Sequence, residues 1–166
     1  MRLITAKNVK LGFLSITPSE YVNPSIYDSW MVRGIPKKSD ILFTTEAPLG
    51  NVAELDTSDR VVFAQRVIVL QSLESLVPKF LFYTLMGGYV RENILSQATG
   101  ATAQGIKAAK LKKIKIPLPS LPEQKKIVAR LDALSEKIRN LRAAQDQTAS
   151  TLSTLEQSVL HKAFNN

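Results

Sequence analysis

From Glu123 to Asn166 the chain contains neither glycine nor proline, and no other feature limits its fold as strongly. Within that stretch apolar residues recur at Ile127, Leu131, Leu134, Ile138 and Leu141, then at Leu152, Leu155 and Val159. Steps of four and three alternate, which describes a heptad seam rather than a broad amphipathic stripe. Carrying the register across the gap puts Gln145 and Thr148 on the seam. The expectation is a single helix of about 40 residues, on the order of 60 Å long at 1.5 Å per residue. A domain of about 120 residues is too small to bury so narrow a leucine line along its whole length, so a second helix is expected beside it. The polar pair in the middle would weaken such a pairing while penalising slipped registers. A frayed surface helix with a solvated middle is the plainer alternative.

The approach to this helix reads "KIPLPSLPEQKKIVARLDALSEKI", residues 115–138, with three prolines in its first eight residues. A residue before proline is pushed out of the α region, so helix cannot extend backwards through this segment. Ser120-Leu121-Pro122-Glu123 supplies a start signal. The serine hydroxyl is expected to accept from the backbone N–H three residues on, Glu123 to reach back to the serine N–H, and Pro122 to sit in the first turn without loss. The prolines therefore hold an extended approach and set the angle at which the helix leaves.

Residues 1–121 have a different period. Short β-rich runs at 41–45 (ILFTT), 51–55 (NVAEL), 60–64 (RVVFA), 66–71 (RVIVLQ) and 113–119 (KIKIPLP) are separated by the turn-forming stretches KKSD, EAPLG and DTSD. One helix is expected at 77–95, with Pro78 in its first turn and Gly87-Gly88 able to bend it; a second, short one is expected at 107–114. The predicted class is α+β: a mixed globular domain followed by one long, C-terminal helix of the coiled-coil-forming type.

Few chemistries survive inspection. The absence of cysteine removes disulfides, cysteine nucleophiles and thiolate metal sites, and the single histidine, His161, reads as a surface residue near a helix end. Neither a P-loop nor a G-x-G-x-x-G is present. Asn23-Pro24-Ser25 lacks the second proline and the aromatic ring of an amino-methyltransferase loop and reads as a turn, while Glu123-Gln124-Lys125 matches half of a nuclease site but lies in a helix start. No catalytic residue, metal or cofactor is expected, and an enzyme acting alone is the weakest reading. Apolar residues make up 45% and charged residues 22%, as in an ordinary globular protein, and no apolar run approaches a membrane span. With no apolar signal core in "MRLITAKNVK", the expected location is the cytoplasm.

The formal net charge of +8 points to a polyanionic partner, nucleic acid before others, although a basic protein that merely stays soluble remains open. Residues 1–121 hold 15 Lys/Arg against 9 Asp/Glu, so most of the excess precedes the helix. It concentrates in "SQATGATAQGIKAAKLKKIK", residues 96–115. There Thr99, Gly100, Thr102 and Gly105 let backbone approach a ligand, and Gln104 can read a base edge or bond a phosphate oxygen. Lys107, Lys110, Lys112, Lys113 and Lys115 follow, a composition suited to phosphate contact. A solvated lysine-rich helix beside an ordinary loop fits the same residues.

The segment "ATGATAQGIKAAKLKKIKIPLPSLPEQKKIVARLDALSEKI" resembles the end of a target recognition domain and the start of the spacer helix in specificity subunits of type I restriction-modification systems. The family pattern is a Gly-Ser/Thr-rich loop, a short helix ending in L-K-x-I-x-I-P-x-P, then L-x-E-Q and a leucine-heptad helix. Here these are Gly100 to Thr102, Leu111 to Pro119, Leu121-Pro122-Glu123-Gln124, and Ile127 onward. "SDILFTTEAPLGNVA" is similar to the family's G-D-I-L strand, with Ser39 where glycine is usual, and "KFLFYTLMGGYVRENI" to its central helix.

The resemblance implies a non-catalytic protein that binds double-stranded DNA and holds methyltransferase subunits and, through them, restriction subunits. It implies a target recognition domain over 1–119, which begins some tens of residues later than usual, and a spacer or dimerisation helix over 120–166. Two such helices pair antiparallel in the family, as a ruler between half-sites. With one of each part, the chain is expected to be a half-subunit working as a homodimer, or a fragment. DNA contacts are expected from Thr99, Thr102, Gln104, Lys107, Lys110, Lys112 and Lys113. The contrasting reading is a non-catalytic coiled-coil assembly protein whose basic domain binds another macromolecule; salt-dependent duplex binding separates the two.

Overall fold

In a computed structural model that describes residues 1–164, six short strands make two three-stranded sheets. In the first, β1 (Arg2–Ile4) lies between β2 (Glu20–Tyr21), antiparallel to it, and β5 (Val61–Phe63), parallel to it with Leu3 opposite Val62. In the second, β3 (Ile41–Thr44) is central, antiparallel to both β4 (Val52–Glu54) and β6 (Val67–Leu70). A 3₁₀ turn at Pro24–Ile26 and a one-turn helix α1 (Tyr27–Trp30) intervene between β2 and β3.

Every residue of β3 is buried, and the two-residue period of a strand assigns its side chains to two cores. Ile41 and Phe43 join Leu81, Phe82 and Leu85 of α2 (Pro78–Met86), Val90 and Ile94 of α3 (Gly88–Ser96), and Ile106. Leu42 faces the other way, with Ile4, Val9, Ala53, Leu55, Val61 and Phe63. The fully buried polar side chains Asn8, Thr44 and Gln124 all find partners. Asn8, wholly buried, accepts from Thr5 N–H at 3.0 Å and donates to Ser15 O and Pro18 O, which closes the loop between β1 and β2.

Three expectations need correction. The helix expected at 77–95 is two helices, because Gly87 leaves the α region (φ −67°, ψ 142°) rather than merely bending it. The helix expected at 107–114 shortens to α4 (Ala108–Leu111). Residues 113–119 form no strand. Ile114 and Ile116 pack against the first core and Lys113 and Lys115 face out, as in a strand, but Pro117 and Pro119 bring no N–H to a ladder.

The final helix, α5, spans Leu121–Phe164. Its first turns belong to the compact unit Met1–Lys126, and residues from Ile127 on form a unit of their own. At the start, Glu123 reaches back as expected, its Oε2 accepting from Ser120 N–H at 2.9 Å. The serine hydroxyl, however, donates to that same oxygen at 2.6 Å instead of accepting from a backbone N–H. These two bonds hold the Glu123 carboxyl below the usual glutamate range. Past Lys126, Leu131 is half-buried, whereas Ile127, Leu134, Ile138, Leu141, Leu152, Leu155 and Val159 are 40–65% exposed. Among the described residues no helix is long and apolar enough to cross a membrane.

Candidate nucleic-acid interface

The loop that follows α3 has closed ends and an open tip. Thr99 and Gly105 exchange both backbone hydrogen bonds, each at 2.9 Å. Gly105 also bridges Glu46, and Ile106 N–H donates to Thr45 O at 2.9 Å while its side chain enters the first core. Both ends are thus tied to the segment that leaves β3. The turn inside them depends on Gly100: at φ +119° its backbone suits glycine, and a Cβ there would lie 2.2 Å from Ala103 O. Ala101, Thr102, Ala103 and Gln104 are exposed at the tip.

The lysines divide into two kinds. Lys107, the residue before α4, and Lys112 and Lys113, after it, are exposed. Lys110 is half-buried, and its Nζ donates to Gln97 O at 3.0 Å, which braces the chain just before the loop. Helical spacing explains the division. Leu111 and Ile114 face the core, so Lys110 lies at the edge of the buried side while Lys112 and Lys113 point away. Thr99, Thr102 and Gln104 share the exposed loop with its flanking lysines; Lys110 acts from beneath it.

A groove of about 820 Å³ shares a wall with the loop base, through Thr45, Arg66, Ile106 and Ala108. Its other side is the segment 29–36, where Arg33, Val32 and Ile35 are exposed. Arg66 sits in the turn between β5 and β6 at φ +77°, with its guanidinium 3.2 Å from the Glu46 carboxylate. Neither arginine stands out in the sequence, because each is a single basic residue beside apolar neighbours, and only the fold places both along one groove. Among the described residues, no cluster of three or more acidic, histidine or cysteine side chains is placed to hold a metal.

Gln124 is a third residue to which the sequence pattern assigns no role. It is fully buried, with Oε1 accepting from Val77 N–H at 2.8 Å and Nε2 donating to Ser75 O at 3.0 Å and Pro119 O at 2.8 Å. Val77 precedes α2 and has no side-chain cap of its own. The signal was available, since Gln124 lies seven residues before Leu131 on the same seam register.

Comparison with known proteins gives a consistent picture. Residues 33–150 match the model of the type I restriction modification DNA specificity domain. The StySPI type I restriction enzyme specificity subunit of Salmonella potsdam is 34% identical over 86 residues, which is 52% of this chain and 19% of that protein. The HsdS subunit from Thermoanaerobacter tengcongensis superposes with a TM-score of 0.70 at 22% identity, over 97% of this chain and 42% of the other. A chain from a type I R-M system, solved in a study of its complex assembly and conformational transition, superposes with a TM-score of 0.72 at 26% identity, over 99% and 38%. The chain therefore spans between 19% and 42% of the length of these relatives.

Proposed function

Because the chain belongs to the type I restriction modification DNA specificity domain family, we propose that its first unit reads one half of a split double-stranded DNA target and that its long helix joins two such readers. On this reading the chain is not a catalyst. It binds DNA and holds methyltransferase subunits, and through them restriction subunits, while those subunits perform the chemistry. What supports the reading is the loop closed by Thr99 and Gly105, whose exposed tip carries Thr102 and Gln104 beside Lys107, Lys112 and Lys113.

Each part of that arrangement suits a different contact. Lysines neutralise phosphates and position a protein without reading sequence. An amide such as that of Gln104 can bond an adenine edge through donor and acceptor together, and Thr102 can serve either kind of base. A tip held at both ends presents these groups with little freedom left to lose on binding. The partner of the helix, on the same reading, is a second copy of the chain, and the pair sets the distance between two half-sites.

The exposed and braced lysines give a discriminating test. In duplex titrations of the purified chain, alone and with methyltransferase subunits, Lys107→Ala and Lys112→Ala should weaken binding to every sequence alike. Each should lower the slope of log affinity against log salt by about one. Lys110→Ala should leave that slope unchanged and alter sequence preference instead, through the loop it braces. Slopes unaltered in both exposed variants would remove these lysines from the interface.

A further inference from the structure

We infer that Arg66, oriented by Glu46, reads a G·C pair on the same face as the loop tip. The inference rests on the DNA reading above and adds to it a residue that the tip and its lysines do not include. Backbone bonds fix where Arg66 stands. Thr45 N–H donates to Arg66 O at 2.8 Å, and Ile106 N–H donates to Thr45 O at 2.9 Å, so three segments lie side by side with Thr45 in the middle. At strand spacing the outer two are about 10 Å apart, on the order of three base-pair steps, so both can reach one stretch of duplex. Glu46 lies between them. A Cβ added at Gly105 would come 3.3 Å from the Glu46 Cβ and Cγ, so the stem of the carboxylate crosses the base of the tip on its way to Arg66.

Stability does not explain this arginine. It occupies the turn between β5 and β6 at φ +77°, where a β-carbon is strained and glycine would be at ease. Its pairing with Glu46 is a single contact, Nη2 to Oε1 at 3.2 Å, between side chains that are 54% and 36% exposed. An ion pair so open to water adds little to stability. What the pair supplies is orientation. The carboxylate holds one edge of the guanidinium, and the N–H groups of the other edge are left for a ligand.

The same carboxylate selects the kind of ligand. Its negative charge repels a phosphate approaching Arg66, whereas a base edge is neutral and meets no such penalty. Guanine offers O6 and N7 to an arginine fork, and the amino group of its paired cytosine is a donor that Glu46 can accept. The two side chains together therefore match a G·C pair read from the major groove. The exposed lysines around the tip keep the phosphate contacts, which position the protein without reading sequence.

The test is selection from a random duplex library by the full chain assembled with methyltransferase subunits, followed by titration of the selected duplexes at several salt concentrations. The parent should prefer G·C at one position by about tenfold or more. Arg66→Lys, which keeps the charge and loses the fork, should bring that preference within about twofold while the other positions and the salt slope stay as they were. Arg66→Gly should relax the same position without lowering the melting temperature, since glycine suits the turn. Replacing the guanine by 7-deazaguanine, which lacks the N7 acceptor, should weaken the parent about fivefold and leave Arg66→Gly unaffected. Glu46→Gln should weaken the same preference and steepen the salt slope by about one, as the released arginine turns to phosphate. An unchanged motif in both Arg66 variants would overturn the inference. So would a uniform loss across all sequences with the motif intact and the slope lowered by about one, the mark of a phosphate contact. A parent that enriches no motif would remove the DNA reading itself.

Discussion

Gln124 and Leu134 stand on the same seam of the same helix and have opposite surroundings. Gln124 is fully buried with three hydrogen bonds, all to backbone groups of the unit that contains it. Leu134 is 47% exposed, and Leu141 is 65% exposed. The polar residue is inside and the apolar ones are outside, the reverse of what side-chain chemistry alone would arrange. The difference separates two tasks. The first turns of α5 are fixed by the protein's own backbone, while the rest of the seam is stabilised only when something covers it. Most helical stability in proteins comes from packing of an apolar face, so on the homodimer reading order past Lys126 should rise with association and with concentration.

The strongest way to break this contrast is to remove the uncovered leucines. Leu134→Ser combined with Leu141→Ser should weaken the dimer by about 4 kcal/mol or more, roughly a thousandfold, read by sedimentation against concentration. Melting of the strand-bearing unit should not move. A dimer of undiminished strength would mean that the seam is not the contact. Next in size is Gln124→Ala, which strands Val77 N–H, Ser75 O and Pro119 O in a buried site; denaturant unfolding of the first unit should lose about 2–3 kcal/mol while dimer strength is retained. A variant as stable as the parent would show that water replaces the amide without loss.

The smallest effect sharpens the boundary between the two regions. Glu123 has a depressed folded-state pKa, first because the Ser120 hydroxyl donates to it and second because the Ser120 N–H does. A depressed carboxyl stabilises the folded state above its unfolded pKa, and that stability disappears as pH falls through the folded value. Helix content should therefore drop slightly in acid, below the ordinary glutamate range of about 4.3, and Ser120→Ala should flatten the drop. Circular dichroism across that window checks it, and an identical acid profile in the variant would remove the serine from the cause.

These features were legible in the sequence to unequal degrees. The long helix and strands β3 to β6 follow from local pattern, since a heptad or a β-branched run carries its own period. β1 and β2 were missed because Arg2–Ile4 and Glu20–Tyr21 are too short to show one, and β1 gains its parallel partner only at Val61–Phe63, far along the chain. At 113–119 the alternation of the sequence matches the burial but no strand forms, because proline decides ladder pairing and burial does not. The loop at 99–105 was visible as composition, but its closure was not, since that depends on Thr45 and Glu46 coming beside it. Lys110 looked like its neighbours until the carbonyl of Gln97 was placed within reach.

The double bond between Thr99 and Gly105 has a consequence for how such a protein changes over time. It works like a picture frame whose canvas is replaceable: the four exposed residues at 101–104 carry no core contact, and the frame asks only for glycine at 100 and a small residue at 105. New lettering on that canvas would leave the sheets behind it undisturbed, so if the tip reads DNA as proposed, a lineage can acquire a new word without having to reinvent its fold.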